Sequence, residues 1–183
     1  MSERVLLDAC VLYPTVMREI VLGAAATGAF APLWSARILE EWRRAALRLG
    51  EGQEAVASGE IALLRARWPE AEVAVPEGAA GALSLPDPND RHVLAAAIAG
   101  GAGTLMTLNL VDFPTRTLAL HGVVPRHPDE MLARMAGPET LGVVEAVRAE
   151  AERLSGEPWE RRRLLKKARL PRLAKALDRL QAP

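Results

Sequence analysis

A set of short apolar runs, each too short for a buried helix, constrains the fold of this chain most tightly. Val5-Leu6-Leu7 ends at Asp8, Thr104–Leu108 ends at Asn109, and Gly122-Val123-Val124 is followed by Pro125. Runs of this length and composition read as buried strands. Between them the apolar residues take helical spacing. Val16–Ala26 is a helix that stops at Gly28, and Tyr13-Pro14 before it is a turn. Ser35 has the character of an N-cap for a helix carrying Ile38, Leu39, Trp42, Ala45 and Ala46 on its apolar stripe. Residues 53–68 form another amphipathic helix, closed by Pro69, and Asp87-Pro88 opens a helix through Ala99 that ends at Gly100-Gly101. Ala31–Trp34 reads as extended or irregular, and Val73–Val75 has the composition of a strand. His127-Pro128-Asp129 starts a helix through Met135. Beyond the Gly137-Pro138 break, 139–154 and 158–180 read as two helices, with Pro171 kinking or breaking the second.

Strands alternating with helices predict an α/β chain, a three-layer sandwich with a mainly parallel central sheet flanked by helices, plus a C-terminal helical extension. In such sheets the binding crevice lies at the carboxyl ends of the strands. Asp8 and Asn109 each follow a predicted strand and therefore share one rim.

At 183 residues the chain fits one domain with an appendage, and only seven residues are aromatic, so Ala, Leu and Val must build the core. Cys10 is the single cysteine, which excludes an intrachain disulfide. Glu3 and Asp8 interrupt any apolar leader, and Val93–Ala99 falls far short of the ~20 residues a membrane span needs. A cytoplasmic protein with no membrane association is expected. The net charge is zero, yet residues 160–180 carry nine Lys/Arg against two acids while residues 1–159 carry fourteen against twenty-one. The body is acidic and the tail basic.

Four segments place acids where acids are locally awkward. Asp8 interrupts an apolar strand, Glu41 lies beside the apolar stripe of its helix, Asp87 and Asp90 stand three apart at a helix start, and Asp112 follows a strand in Asn109-Leu110-Val111-Asp112-Phe113-Pro114. Each alone has a plain structural reading: a turn residue, a solvated helix flank, an N-cap with a capping-box partner. Together they suggest converging carboxylates, which repel one another and need a cation; hard divalent ions take oxygen ligands and can activate water for phosphodiester hydrolysis. Asp90 is expected to cap its helix and bind metal at once.

Competing constellations are weak. No Gly-rich loop precedes a Lys-Ser/Thr pair, Cys10 lacks zinc-like spacing, and Ser35 has no nucleophile-elbow context. The histidines His92, His121 and His127 are scattered, and His92 reads as a surface or packing residue. A haloacid-type phosphatase would want a second Asp at position 10, where Cys10 stands.

At these residues the sequence resembles the PIN-domain family, and more closely the bacterial PIN-domain toxins of toxin–antitoxin pairs, the virulence-associated ribonuclease toxins. Val5-Leu6-Leu7-Asp8 is similar to the family's first motif, Ser35–Glu41 to the helix bearing its second acid, Leu85–Asp90 to the third, and Thr107–Asp112 to the fourth. Pro128-Asp129-Glu130-Met131-Leu132 is also typical of that branch. The resemblance covers about residues 4 to 135 and implies a Mg²⁺- or Mn²⁺-dependent endoribonuclease. Its catalytic acids would be Asp8, Glu41, Asp90 and Asp112, with Asp8 and Asp90 as direct metal ligands and Glu41 orienting water or a second metal. Asp87 and Asn109 would be accessory, and Glu40 is the fallback for Glu41. The resemblance also implies a homodimer, an RNA substrate and a cognate antitoxin that inserts a basic residue into the acidic pocket. Residues 1–137 would be the nuclease domain and 138–183 a basic helical extension. Asn109 stands where many members have Asp, and this supports the alternative of a non-catalytic PIN-like module that binds RNA or protein.

Overall fold

The computed structural model describes residues 2–181. Five strands form one sheet: β1 (Arg4–Leu7), β2 (Ala31–Ser35), β3 (Glu72–Val73), β4 (Thr104–Met106) and β5 (Val124–Arg126). Their order is β3-β2-β1-β4-β5, and every pairing is parallel. The chain winds outward from β1 to β2 and β3, then restarts on the other side with β4 and β5. The switch point therefore falls between β1 and β4, where Leu7 pairs with Met106. This is where a crevice opens in open parallel sheets. The apolar run of β1 is explained by its central place, since Val5, Leu6 and Leu7 are fully buried between two helical layers. The segment Ala31–Trp34 joins the sheet despite Pro32. β3 pairs only with Trp34 and Ser35, so no partner on that edge asks Pro32 for an N–H.

The helices are α1 (Ala9–Leu12), α2 (Thr15–Ala26), α3 (Ala36–Leu47), α4 (Gln53–Arg67), α5 (Arg91–Ala99), α6 (Thr115–Ala119), α7 (Pro128–Arg134), α8 (Pro138–Ser155), α9 (Arg161–Lys167) and α10 (Pro171–Leu180). Ser35 Oγ accepts from Ile38 N at 3.3 Å and caps α3 as its sequence suggests. The helix anticipated from Asp87 begins instead as a 3₁₀ turn, Pro88–Asp90, and becomes α-helical at Arg91. α1 and α6 have no counterpart among the predicted helices, because four or five residues are too few to display a period. Arg18 of α2 is buried, donates to Leu12 O at 2.8 Å, pairs with Glu60 of α4 at 3.0 Å and stacks on Trp42 of α3 at 4.4 Å. One cation thus joins three helices on one face of the sheet.

The tail is packed, not free. A Cβ on Gly23 of α2 would overlap Val143, so α8 lies directly on α2. The predicted 158–180 helix is broken into α9 and α10 around Ala168–Leu170, ahead of Pro171 as anticipated. Leu165, Leu170, Leu173 and Leu177 are fully buried in the same apolar cluster as β1. Burying a leucine contributes about 1.5–3 kcal/mol, whereas an exposed ion pair contributes about 0–1 kcal/mol. Leucine packing, not charge, therefore holds the tail down. A second anchor is Asp129 of α7, which is buried and accepts from Arg172 N at 3.0 Å and Leu173 N at 2.9 Å. This carboxylate caps α10 from a different helix, at the end where the helix dipole favours an anion.

Asp129→Ala should lower the unfolding free energy by about 2 kcal/mol, because a buried cap is lost and two N–H donors are orphaned. Urea denaturation measures this. A change below about 0.5 kcal/mol, the ordinary range of surface substitutions, would show that the cap does not hold the tail.

Candidate active site

The acids singled out in the sequence come from four separate segments of the chain. Asp8 follows β1 and is the residue before α1, yet its side chain does not cap that helix. Its Oδ2 instead accepts from Thr107 Oγ1 at 2.7 Å and from Cys10 Sγ at 3.1 Å. Thr107, the fully buried residue after β4, also receives Asn109 N at 3.0 Å, and Cys10 Sγ receives Leu108 N at 3.2 Å. Two short side chains thus tie the ends of β1 and β4 together and fix one oxygen of Asp8. Burial, and then the Asp8 charge, push the Cys10 thiol up to about 12, so it stays protonated and donates. Neither Thr107 nor Cys10 was picked out as a site residue. The available signal was a polar residue just past each of two strand ends, Thr107 one position beyond β4 and Cys10 three beyond β1.

Asp87 and Asp90 divide the roles anticipated for them. Asp87 Oδ1 accepts from Asn89 N at 2.8 Å and caps the 3₁₀ turn. Asp90 makes no capping hydrogen bond, which corrects the expectation that it would cap and bind at once. Its carboxylate is left to the crevice. Burial, followed by the charges of Asp8, Asp87, Asp112 and Glu41, raises Asp90 from 3.8 to about 6. Acids from four segments are therefore close enough to feel one another through space.

Glu40 and Glu41 separate as adjacent helical residues must, ~100° apart around the axis. Glu40 turns to Arg43 and Arg44, and its hydrogen bonds with Arg43 and then Arg44 lower it to about 2. Glu41 turns the other way, with Oε1 at 2.6 Å from Nε2 of His92 on α5. That approach is close but lies off the hydrogen-bond direction, and neither ring nitrogen of His92 has an aligned partner. His92 is buried, as a packing residue would be, but it packs against a site acid. A cleft of about 590 Å³ opens beside it, bordered by Ser35, Arg37, Val73, Val75 and Pro76. On the other side Asn109 Nδ2 donates to Asp112 Oδ2, so the amide that stands in place of an acid orients the acid three residues on.

The donor chemistry fits a hard divalent cation: the gathered atoms are carboxylate oxygens, and their mutual repulsion is what a metal would relieve. Among the described residues, no group of three or more His, Cys, Asp or Glu side chains is arranged so that it could hold a metal ion.

The family model of the PIN domain matches residues 4–110. The chain belongs to the PIN-domain family. Comparison with curated proteins and with solved structures returns no match. PIN domains are typically nucleases, and the five-stranded parallel sheet with its flanking helices is consistent with that fold. Asp8, Glu41, Asp87, Asp90 and Asn109 lie inside the matched span, whereas Asp112 and everything from α6 onward lie beyond it. Among the described residues no helix is long and apolar enough to cross a membrane.

Two outcomes follow for this PIN domain. Thr107→Val keeps the shape but removes the donor that fixes Asp8, and partners of this kind are worth about 10–100-fold in metal affinity or activity. Unchanged metal affinity and turnover in Thr107→Val would separate the threonine from the site. The second outcome concerns pH. Because Asp90 is raised, the folded chain holds its proton more tightly than the unfolded chain does. Its contribution to stability therefore falls as pH rises from 3.8 to about 6, then levels off. In chelator-treated buffer, Asp90→Asn should remove that decline from urea midpoints taken across the window. An identical pH profile in the variant would contradict it.

Proposed function

We propose that this PIN domain is a Mg²⁺- or Mn²⁺-dependent endoribonuclease that acts as the toxin of a type II toxin–antitoxin pair in the cytoplasm. What carries the nuclease reading is the gathering of Asp8, Glu41, Asp87 and Asp112 around Asp90, whose carboxyl is raised by burial and then by their charges. Asp8 and Asp90 would hold the ion. When bound, it supplies a Lewis acid that makes water a better nucleophile and offsets charge on the leaving oxygen. Asp8 presents its free oxygen because Thr107 and Cys10 occupy the other. Glu41, braced by His92, orients the attacking water and receives its proton. Asp112, turned by Asn109, completes the acidic wall, and Asp87 shapes the turn that aims Asp90. We take residues 1–137 as the nuclease domain and 138–183 as its basic extension.

The toxin assignment rests on the ordered motifs and on Pro128–Leu132, and it carries with it a homodimer and an antitoxin that places a basic side chain in the acidic pocket. Asn109 supports the alternative, a non-catalytic PIN-like module binding RNA or protein, because one expected acid is an amide.

Purified protein given single-stranded RNA with Mn²⁺ or Mg²⁺ should cut internally, and a chelator should stop it. Asp90→Asn should abolish cleavage while leaving the fold intact. Glu41→Gln should lose far more activity than Glu40→Gln, whose carboxylate is already spent on two arginines. Full cleavage by Asp90→Asn would refute the assignment, and metal binding without cleavage by the parent protein would favour the binding module.

A further inference from the structure

The corner between α9 and α10 carries a cost that packing does not explain. Arg169 has φ 61°, and among the described residues it is the one non-glycine residue in the left-handed region. It occupies the turn closing α9, where Arg169 N bonds Lys166 O at 3.0 Å and Leu170 N bonds Leu165 O at 2.8 Å. Glycine is the usual occupant of that position because it lacks the Cβ penalty. An observed outlier of this kind points towards a task for the side chain. Arg169 is exposed, and so is Arg172 three residues later. Within residues 160–180 the described ion pairs are made by Arg161 and Arg162, and none by Arg169 or Arg172.

The corner is fixed at the catalytic rim. Asp129 grips the backbone of Arg172 and Leu173. Two residues before Asp129, His127 follows β5, whose Arg126 O accepts Thr107 N at 3.0 Å, and Thr107 in turn holds Asp8. Burial, together with the charges of Arg172 and Arg169 against those of Asp129 and Glu130, leaves His127 below its ordinary range, so both cations lie within electrostatic reach of the residue that follows β5. The rest of the body is acidic and repels phosphate.

We propose that Arg169 and Arg172 form a phosphate clamp for the RNA strand that crosses the carboxylate rim. This rests on the ribonuclease reading and adds to it the surface that holds the substrate. The strain at Arg169 then has a use, because it projects a cation from a corner that leucines and Asp129 hold rigid.

The test measures fluorescence anisotropy of a labelled single-stranded RNA of mixed sequence, in chelator, over a series of KCl concentrations. Each phosphate contact on a single strand contributes about 0.7 to the slope of log affinity against log salt, so Arg169→Gly/Arg172→Ala should flatten it by about 1.4. Arg169→Lys/Arg172→Lys should keep the slope. Arg169→Gly alone should weaken RNA binding yet raise the melting temperature, a pair of opposite signs that a merely structural arginine does not produce. An unchanged slope in the folded double variant of a protein that still cuts RNA overturns the clamp and leaves the nuclease standing. A parent protein that neither binds nor cuts RNA overturns both. Loss of binding to polyglutamate with RNA binding intact assigns the corner to an acidic protein partner and overturns the RNA role.

Discussion

Like charges held within reach of one another at a half-buried rim are the constraint on which this molecule depends. Left to themselves, Asp8, Glu41, Asp87, Asp90 and Asp112 would move apart; burial, and then the charges of the other four, raise Asp90 to about 6. The parallel sheet is what prevents their separation. All its strands end on one side, so the residue after β1 and the residues after β4 have no choice of rim. Thr107 and Cys10 stitch those two ends together, and the cap made by Asp87 fixes the turn that presents Asp90. Rigidity comes from below, where β1 is sealed by apolar layers and Arg18 joins α2, α3 and α4.

The C-terminal helices extend the same logic. Their leucines join the core of the PIN domain, and their α10 is capped by a carboxylate from α7, so the basic corner is positioned as firmly as the acids. An acidic centre flanked by a fixed basic edge suits a polyanionic substrate, because the edge supplies attraction where the centre supplies repulsion. The tail is therefore bound to the fold by apolar burial while its cations other than Arg161 stay in solvent, an arrangement in which the same helix can serve stability on one face and recognition on the other.

Much of this was legible in the sequence, for identifiable reasons. Central strands buried on both faces leave unbroken apolar runs, so β1 and β4 stood out, and Ser35 announced α3 through its capping chemistry. Acids in apolar surroundings marked Asp8, Glu41 and Asp90, and the spacing between neighbours on a helix separated Glu41 from Glu40. What was hidden depends on contacts distant in sequence. Thr107 and Cys10 lie 97 residues apart and are unremarkable until the strands align. His92 reads as a packing residue because its partner, Glu41, lies on another helix. Asp87 before Pro88 reads as a cap and is one, whereas Asp90 was expected to cap as well and does not, because the 3₁₀ turn Pro88–Asp90 takes its capping bond from Asp87. Short helices such as α6 leave no period to find.

Calorimetric titration of the metal-free protein with Mn²⁺, repeated at pH values above and below about 6, tests the central claim most directly. If the gathered carboxylates form a cation site, binding is saturable, weakens as pH falls through the range where Asp90 takes up its proton, and releases protons there in proportion. Heats indistinguishable from dilution at every pH, or binding that persists undiminished in Asp8→Asn/Asp90→Asn, would contradict the account.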